Sequence, residues 1–549
     1  MRRLAALAFA IVLVLPAAAQ APEPVDTAAV RTIRQQGLQN SQVMDILAWL
    51  TDVHGPRLTG SPKLDEASRW AMDWLRQQGF QNVRQEAWGP FGRGWTLRRM
   101  SAMATGAATF PLIAYPKAWS PSVRGTADVV VFDPQTAEDL ERFRGRLRGK
   151  IVLMETPRDV TEPFEGYAQR HTTESLLNLA NFAADTAPTG GPQGPNANAN
   201  FLQQQRLQQL RMQLLMSEQP LALFDRNFKG EYGTVFVSGV SVPQPENATA
   251  QNRASGWNPR GQTIIPQFTL AVEHYNRLYR LAKRGLPVQV NLDMEAAYNE
   301  DDPMEANVFA EIPGSDKADE IVMLGAHFDS WHAGTGTTDN AAGSSVMMEA
   351  MRILKETFAA RGVRPRRTIR LALWTGEEQG LLGSRAYATE HFGTRNQDGS
   401  VQAKPMQEKV SGYFNMDNGT GKIRGVYLQG NQGVMPIFRS WLAPFRDLGA
   451  STLTMQNTGG TDHLAFDAVG IPGFQFIQEP MAYSTRTHHS NMDVYDHAVA
   501  DDLKQAATII ASFVYHTAMR EEKLPRKPTT VTMVGQQNGA APAGRSGGR

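Results

Sequence analysis

Between residue 307 and about 519, four apolar runs of strand length alternate with helical patterns, and this rhythm constrains the fold more than any other feature. The runs are IVMLGA at 321–326, TIRLALW at 368–374, GYFNM at 412–416 and GFQFI at 473–477. Between the first two lies GSSVMMEAMRILKET, which places Val346, Met347, Ala350, Ile353 and Leu354 on one helical face. Continuously apolar strands separated by amphipathic helices predict an α/β domain, a three-layer α/β/α sandwich around a mostly parallel central sheet. In such open sheets, ligands collect in the crevice beyond the carboxyl ends of the strands.

The remaining chain reads as additions to that core, which is expected over 301–522. Residues 20–100 are read as its N-terminal helical part. SQVMDILAWLTDVHG carries Val43, Ile46, Leu47 and Leu50 at helical spacing, and ASRWAMDWLRQQGF repeats the pattern after the turn-rich GPRLTGSP. Residues 101–300 change texture to short β-rich runs such as ADVVVFD and GKIVLME, and read as an inserted β-rich domain. A Gln-, Asn-, Pro- and Gly-rich stretch at 187–212 interrupts it, so a long loop or an extra helix is expected within 187–260. The Pro-, Gly- and Ala-rich tail, 523–549, reads as disordered.

At the N-terminus, Arg2-Arg3 precede an apolar run and then Ala17-Ala18-Ala19, the pattern of a secretory signal peptide over 1–19 cut before Gln20. The run is too short to span a bilayer, so no stable membrane anchor is expected after cleavage. Zero cysteines exclude disulfides and suit an exported protein of a periplasm or culture medium. With 55 Lys plus Arg against 54 Asp plus Glu, nothing favours nucleic acid as a partner.

Each of the four strands delivers metal-type side chains at its carboxyl end. The first runs into His327 and Asp329, the second into Glu377-Glu378, the third into Asp417, and the fourth leads to His488-His489. Singly these are weak signals: Asp339 alone is more often a helix cap, and an acidic pair often just favours a helix start. Together, imidazoles and carboxylates with no thiolate suit zinc or a similar divalent ion in a catalytic site. Asp329 is placed to hold the second nitrogen of His327. Asp339 sits where loop becomes helix, ahead of Asn340-Ala341-Ala342-Gly343, with its carboxylate free to bridge two ions. Of Glu377-Glu378, one carboxylate can ligate while the other acts as general base. His332 is left outside the ligand set.

These segments resemble the M28 family of metallopeptidases, most closely its carboxypeptidase Q-like branch. The carrying motifs are HFD at 327–329, TDNAAG at 338–343, WTGEEQGLLGS at 374–384, NMDNG at 415–419 and THHSNMDVYD at 487–496, with GPRLTGSP and GGTDHLAFDAVGIPGF in support. The resemblance implies two Zn2+ ions: His327 and Asp417 on one, Glu378 and His489 on the other, Asp339 bridging, and Glu377 as base. It also implies a cis peptide at Asp339-Asn340, and a protease-associated domain in the 101–300 region. The full ligand set argues against a single-zinc glutaminyl cyclase, and the short gap from His327 to Asp339 against the M20 pattern.

The implied activity is hydrolysis of terminal peptide bonds of short peptides, read as an aminopeptidase. A carboxypeptidase or dipeptidase of the same family is the alternative, and a non-catalytic scaffold of the fold the remoter one. Peptide is the expected partner, with a homodimer as a further expectation. Tyr483 and His488 are candidate carbonyl-polarising donors, Asp462-His463 a candidate pocket lining, and Arg486 a candidate for a substrate carboxylate.

Overall fold

The computed structural model describes residues 23–182, 195–245, 248–249 and 252–533. The expected leader falls outside these residues, as does the tail beyond 533. Among the described residues no helix is long and apolar enough to cross a membrane.

An eight-stranded mixed sheet forms the centre. Its strands are β1 (Gln81–Trp88), β2 (Glu305–Ile312), β3 (Lys317–His327), β4 (Arg367–Trp374), β5 (Val410–Asn415), β6 (Ile423–Tyr427), β7 (Thr452–Thr454) and β8 (Gly473–Gln478). They lie in the order β1-β2-β4-β3-β5-β8-β6-β7. The four runs singled out in the sequence, β3, β4, β5 and β8, are the central and mutually parallel strands. Antiparallel pairings occur toward the edges, β1 with β2, β2 with β4 and β6 with β8. The sheet is parallel through its middle and again where β6 meets β7 at the edge.

Those central strands are apolar throughout because both of their faces are covered. Successive residues of β3 enter different cores: Val322, Leu324 and Ala326 pack on one side, Ile321 and Met323 on the other. The first side is closed by helices that include α1 (Thr27–Gln39), α2 (Ala342–Arg361) and α4 (Ala500–Met519), with Pro62–Gln77 adding Leu64, Ala67, Ala71 and Leu75. The second is closed by α3 (Leu382–His391) and the short helix His463–Ala468, where Phe466 stacks on Tyr413 with ring centres 4.0 Å apart. Side chains on both faces of a two-sided sheet must bury, which is why the polar alternation of a half-exposed strand is absent.

After β1 the chain leaves this sheet, builds a second one, and returns at Glu305. Gly94–Gly106 pairs antiparallel along its length with Val288–Asn299, so the outgoing and incoming segments run side by side. The second sheet starts slightly ahead of the expected boundary at 101 because of this pairing. It also has eight strands, with the helix Val272–Lys283 packed on it through Tyr275 and Leu278. Within the polar interruption, Pro195–Glu218 is helical. At the joint between the sheets, Trp88, Phe91, Trp95, Trp119 and Val240 form an aromatic-rich cluster.

The tail departs from expectation over its described part. Leu524 is buried, the Arg526 guanidinium donates to the carbonyls of Gly470, Gln407 and Val410, and Val531–Met533 adds a strand beside Val401–Ala403. A Pro-rich composition did not prevent order because these side chains and backbone groups find partners on the core.

Gly325 tests how tightly the central strands pack. A methyl group there would lie 2.5 Å from the Ala372 carbonyl oxygen and 2.9 Å from the Tyr413 hydroxyl. Gly325→Ala is expected to lower unfolding stability by about 1–3 kcal/mol in urea titration. A change below about 0.5 kcal/mol would show that β3 and β4 can separate freely.

Candidate metal centre

The carboxyl ends of β3, β4, β5 and β8 meet at one hollow. His327 closes β3 and is almost fully buried. Its Nε2 lies 3.1 Å from Asp339 Oδ1 and 3.6 Å from Asp417 Oδ1. On the opposite side, His489 Nε2 lies 3.1 Å from Asp339 Oδ2 and 2.9 Å from Glu378 Oε2. Asp339 thus presents one oxygen to each imidazole, and the five residues His327, Asp339, Glu378, Asp417 and His489 are gathered. His488 is farther out, 3.7 Å from Asp339 Oδ2.

Local structure holds Asp339 in place. The Asp339-Asn340 peptide is cis. Asn340 Oδ1 accepts the N–H of Gly343 in the first turn of α2, while its amide donates to the Met416 carbonyl. Gly343 is required there, because a Cβ would sit 2.4 Å from both Met416 O and Asn340 Oδ1. From the far side, the Asp493 carboxylate accepts the N–H groups of Thr338 at 2.6 Å and Asp339 at 3.2 Å. Burial and the nearby Asp339 charge push Asp493 up to about 8.

The role of Asp329 differs from the sequence reading in its details. His327 Nδ1 faces the main-chain oxygen of Asp329 at 3.1 Å, whereas the carboxylate is 3.7 Å away. That carboxylate instead accepts the Thr59 hydroxyl at 2.8 Å and the N–H groups of Glu377 and Glu378, each at 3.2 Å. Asp329 therefore orients the acidic pair as well as lying beside the imidazole.

The electrostatics call for positive charge. Burial first, and the neighbouring Asp339 second, raise Glu378 to about 7. Burial lifts Glu377 well above the usual carboxylate range, against the pull of His327 and with the help of Asp417 and Asp462. Asp462, also buried, is raised to about 7. For His489 burial works the other way, yet the Glu378 and Asp339 carboxylates outweigh it and raise the ring to about 11. His327 Nε2 and Asp339 Oδ2 each lie in ion-pair contact but make no well-aligned hydrogen bond, and Glu378 Oε1 has none. Donor atoms of His327, Asp339 and Glu378 lie within 4.8 Å of one another, as do those of Asp339, His488 and His489. Buried carboxylates crowded around two imidazoles, with unpartnered donor atoms facing inward, fit divalent cations.

Tyr483 lies close enough to Asp339, Asp417 and Glu378 that burial and their charges hold its hydroxyl protonated. His488, stacked against His489 with ring centres 3.7 Å apart, is lowered to about 4, chiefly by burial, and is neutral. His463 is buried, and its Nε2 faces the Thr458 carbonyl at 3.1 Å. His332 Nε2 donates to the Pro116 carbonyl at 2.7 Å, and its ring packs edge-on to Trp95. The Arg486 guanidinium sits over the Tyr167 ring, 5.3 Å from its centre.

Sequence reading missed Arg57, which it placed in a turn-rich connector. Arg57 is fully buried behind the metal-side loop and donates to the carbonyls of Leu50, Phe328, Thr335 and Gly336. Burial lowers it to about 10, with Asp493, Asp329 and Asp339 holding it up, so it stays cationic.

A cavity of about 980 Å³ opens beside Glu378 and Gln379, walled by Trp88, Trp257, Trp331 and Arg253.

Residues 307–514 match the model of peptidase family M28. Over 512 residues the chain is 25% identical to carboxypeptidase Q of Mus musculus, covering 91% of this chain and 90% of that protein. Among solved structures it is similar to the peptidase M28 precursor of Shewanella amazonensis SB2B, with TM-score 0.61, 24% identity, and coverage of 92% of this chain and 100% of that one. It is also similar to BSAP, a zinc aminopeptidase from Bacillus subtilis, with TM-score 0.51, 19% identity, and coverage of 87% and 95%. Together these similarities support a metallopeptidase of the M28 type, with the family match carried by residues 307–514 and the α/β fold by the solved structures.

Arg57→Met keeps the aliphatic bulk and removes the donors to four carbonyls. Chemical unfolding of the metal-free variant is expected to show a loss of about 3 kcal/mol or more. A loss under about 1 kcal/mol would mean that water or main-chain donors replace the guanidinium.

Proposed function

We propose that this chain is an exported exopeptidase that holds two zinc ions and cleaves terminal peptide bonds of short peptides. The observation that carries the reading is the placement of Asp339, with one carboxylate oxygen 3.1 Å from His327 and the other 3.1 Å from His489. In this reading His327 and Asp417 hold one ion, Glu378 and His489 the other, and Asp339 both. When bound, the pair supplies Lewis-acid polarisation of the scissile carbonyl and makes a water acidic enough to attack near neutral pH.

The chain's own residues do the remaining work. Glu377, whose carboxyl is lifted by burial, takes the proton from the attacking water and passes it to the departing amine. Asp329 fixes the Glu377 and Glu378 main chain through their N–H groups. Tyr483, kept protonated, and neutral His488 are placed to donate to the carbonyl oxygen as charge develops. The inserted unit, whose 101–300 span is read as a protease-associated-like domain, contributes Trp257 and Arg253 to the cavity wall. The basic and apolar leader supports export to a periplasm or the medium.

Two readings of the substrate's end remain, each with its support. A free amino terminus suits a carboxylate-rich floor, which favours an aminopeptidase. A free carboxylate suits Arg253 on the cavity wall, and the full-length similarity to carboxypeptidase Q favours that end. N-blocked and C-blocked dipeptides assayed with and without chelator separate them. An aminopeptidase loses N-blocked substrates only, a carboxypeptidase C-blocked ones only, and a dipeptidase both; turnover unaffected by chelator would refute the zinc reading.

Glu377→Gln is expected to keep wild-type metal content while kcat falls by about 10²–10⁴-fold. A metal-replete variant with near-normal turnover would remove Glu377 from the proton-transfer role.

A further inference from the structure

The loop that carries His489 is fastened to the second sheet unit as well as to its own. The segment 233–240, which leads into the cavity wall, runs alongside it. The His489 carbonyl accepts the Val237 N–H at 2.7 Å, and the Asn491 N–H donates to the Val235 carbonyl at 3.0 Å. Phe236 and Ser490 form an antiparallel bridge between these contacts. The Asn491 side chain completes the join: Oδ1 accepts the Val235 N–H at 2.7 Å and Nδ2 donates to the Gly233 carbonyl at 3.2 Å.

Two further observations tie this join to the metal side. His489 has φ of +59°, a left-handed conformation that non-glycine residues keep only where their surroundings over-determine it. Its imidazole is flanked by Trp331, at 5.8 Å between ring centres, and Trp331 in turn meets Trp119 of the second unit edge-on at 6.3 Å. The same strap then continues as Ser238, Gly239, Val240, Ser241 and Val242 along the large cavity. One short segment therefore touches the main chain of a ligand residue at one end and the expected substrate space at the other.

We infer that Asn491 is a positioning residue that locks His489 to the 233–240 strap, so that the cavity wall and one metal ligand are set as a single body. The inference rests on the reading of His489 as a ligand. Asn491 itself donates to and accepts from main chain only, and its effect on any ion passes through the angle at which His489 is presented.

The test is zinc titration of metal-free wild type, Asn491→Ala and Asn491→Asp, with stoichiometry and affinity read by competition against a chromogenic chelator. Wild type is expected to bind two ions. Asn491→Ala should bind one ion as wild type does and the other about 10–100-fold more weakly. Asn491→Asp keeps an acceptor for the Val235 N–H and should fall between them; it also carries the test if the alanine variant does not fold. Equal affinities at both sites in every variant would overturn the inference while leaving the two-zinc reading intact. An equal weakening at both sites, together with lower unfolding stability, would also overturn it, since that marks general loosening. Wild type that binds no zinc would sink the two-zinc reading and this inference with it.

Discussion

The arrangement depends on one buried carboxylate shared between two imidazoles. Asp339 meets His327 through one oxygen and His489 through the other, and these histidines come from segments far apart in the chain. A carboxylate this deeply buried is costly unless charge and hydrogen bonds compensate it. The surroundings are built for that: Asp493 takes the neighbouring N–H groups, Asn340 ties the start of α2 to the end of β5, and Gly343 lets them approach. Parallel strands bring the four loops that carry the candidate ligands to one side because their carboxyl ends all point the same way.

The negative excess explains why so many polar groups behind the hollow are fully paired. Asp329 accepts three donors, and Arg57 saturates the loop carbonyls on the opposite side. Atoms that face the hollow, such as His327 Nε2 and Glu378 Oε1, are by contrast left without a hydrogen bond. Rigid support around open donor atoms is what a site needs if cations are to be held in one geometry rather than several.

Much of this was legible in the sequence because the central strands bury both faces and so write themselves as unbroken apolar runs. IVMLGA, TIRLALW, GYFNM and GFQFI are the parallel strands, and the residues after them reach the site. Strand β2, second from the edge and paired on both sides, mixes polar and apolar residues in EANVFAEI and gave no comparable run. Arg57 was illegible because its meaning lies in long-range carbonyl partners that no local pattern encodes. The same holds for the 233–240 strap: GTVFVSGVSVP reads as a strand, but it forms isolated bridges, one of them to the ligand loop. The tail misled because Pro and Gly content says little about whether Leu524 and Arg526 find a surface to dock on.

The most direct measurement is anomalous diffraction at the zinc absorption edge from crystals grown with zinc. The account predicts two peaks flanking Asp339, one beside His327 and Asp417 and one beside Glu378 and His489. A single peak that leaves one Asp339 oxygen uncontacted, or no peak within reach of these five residues, would contradict it.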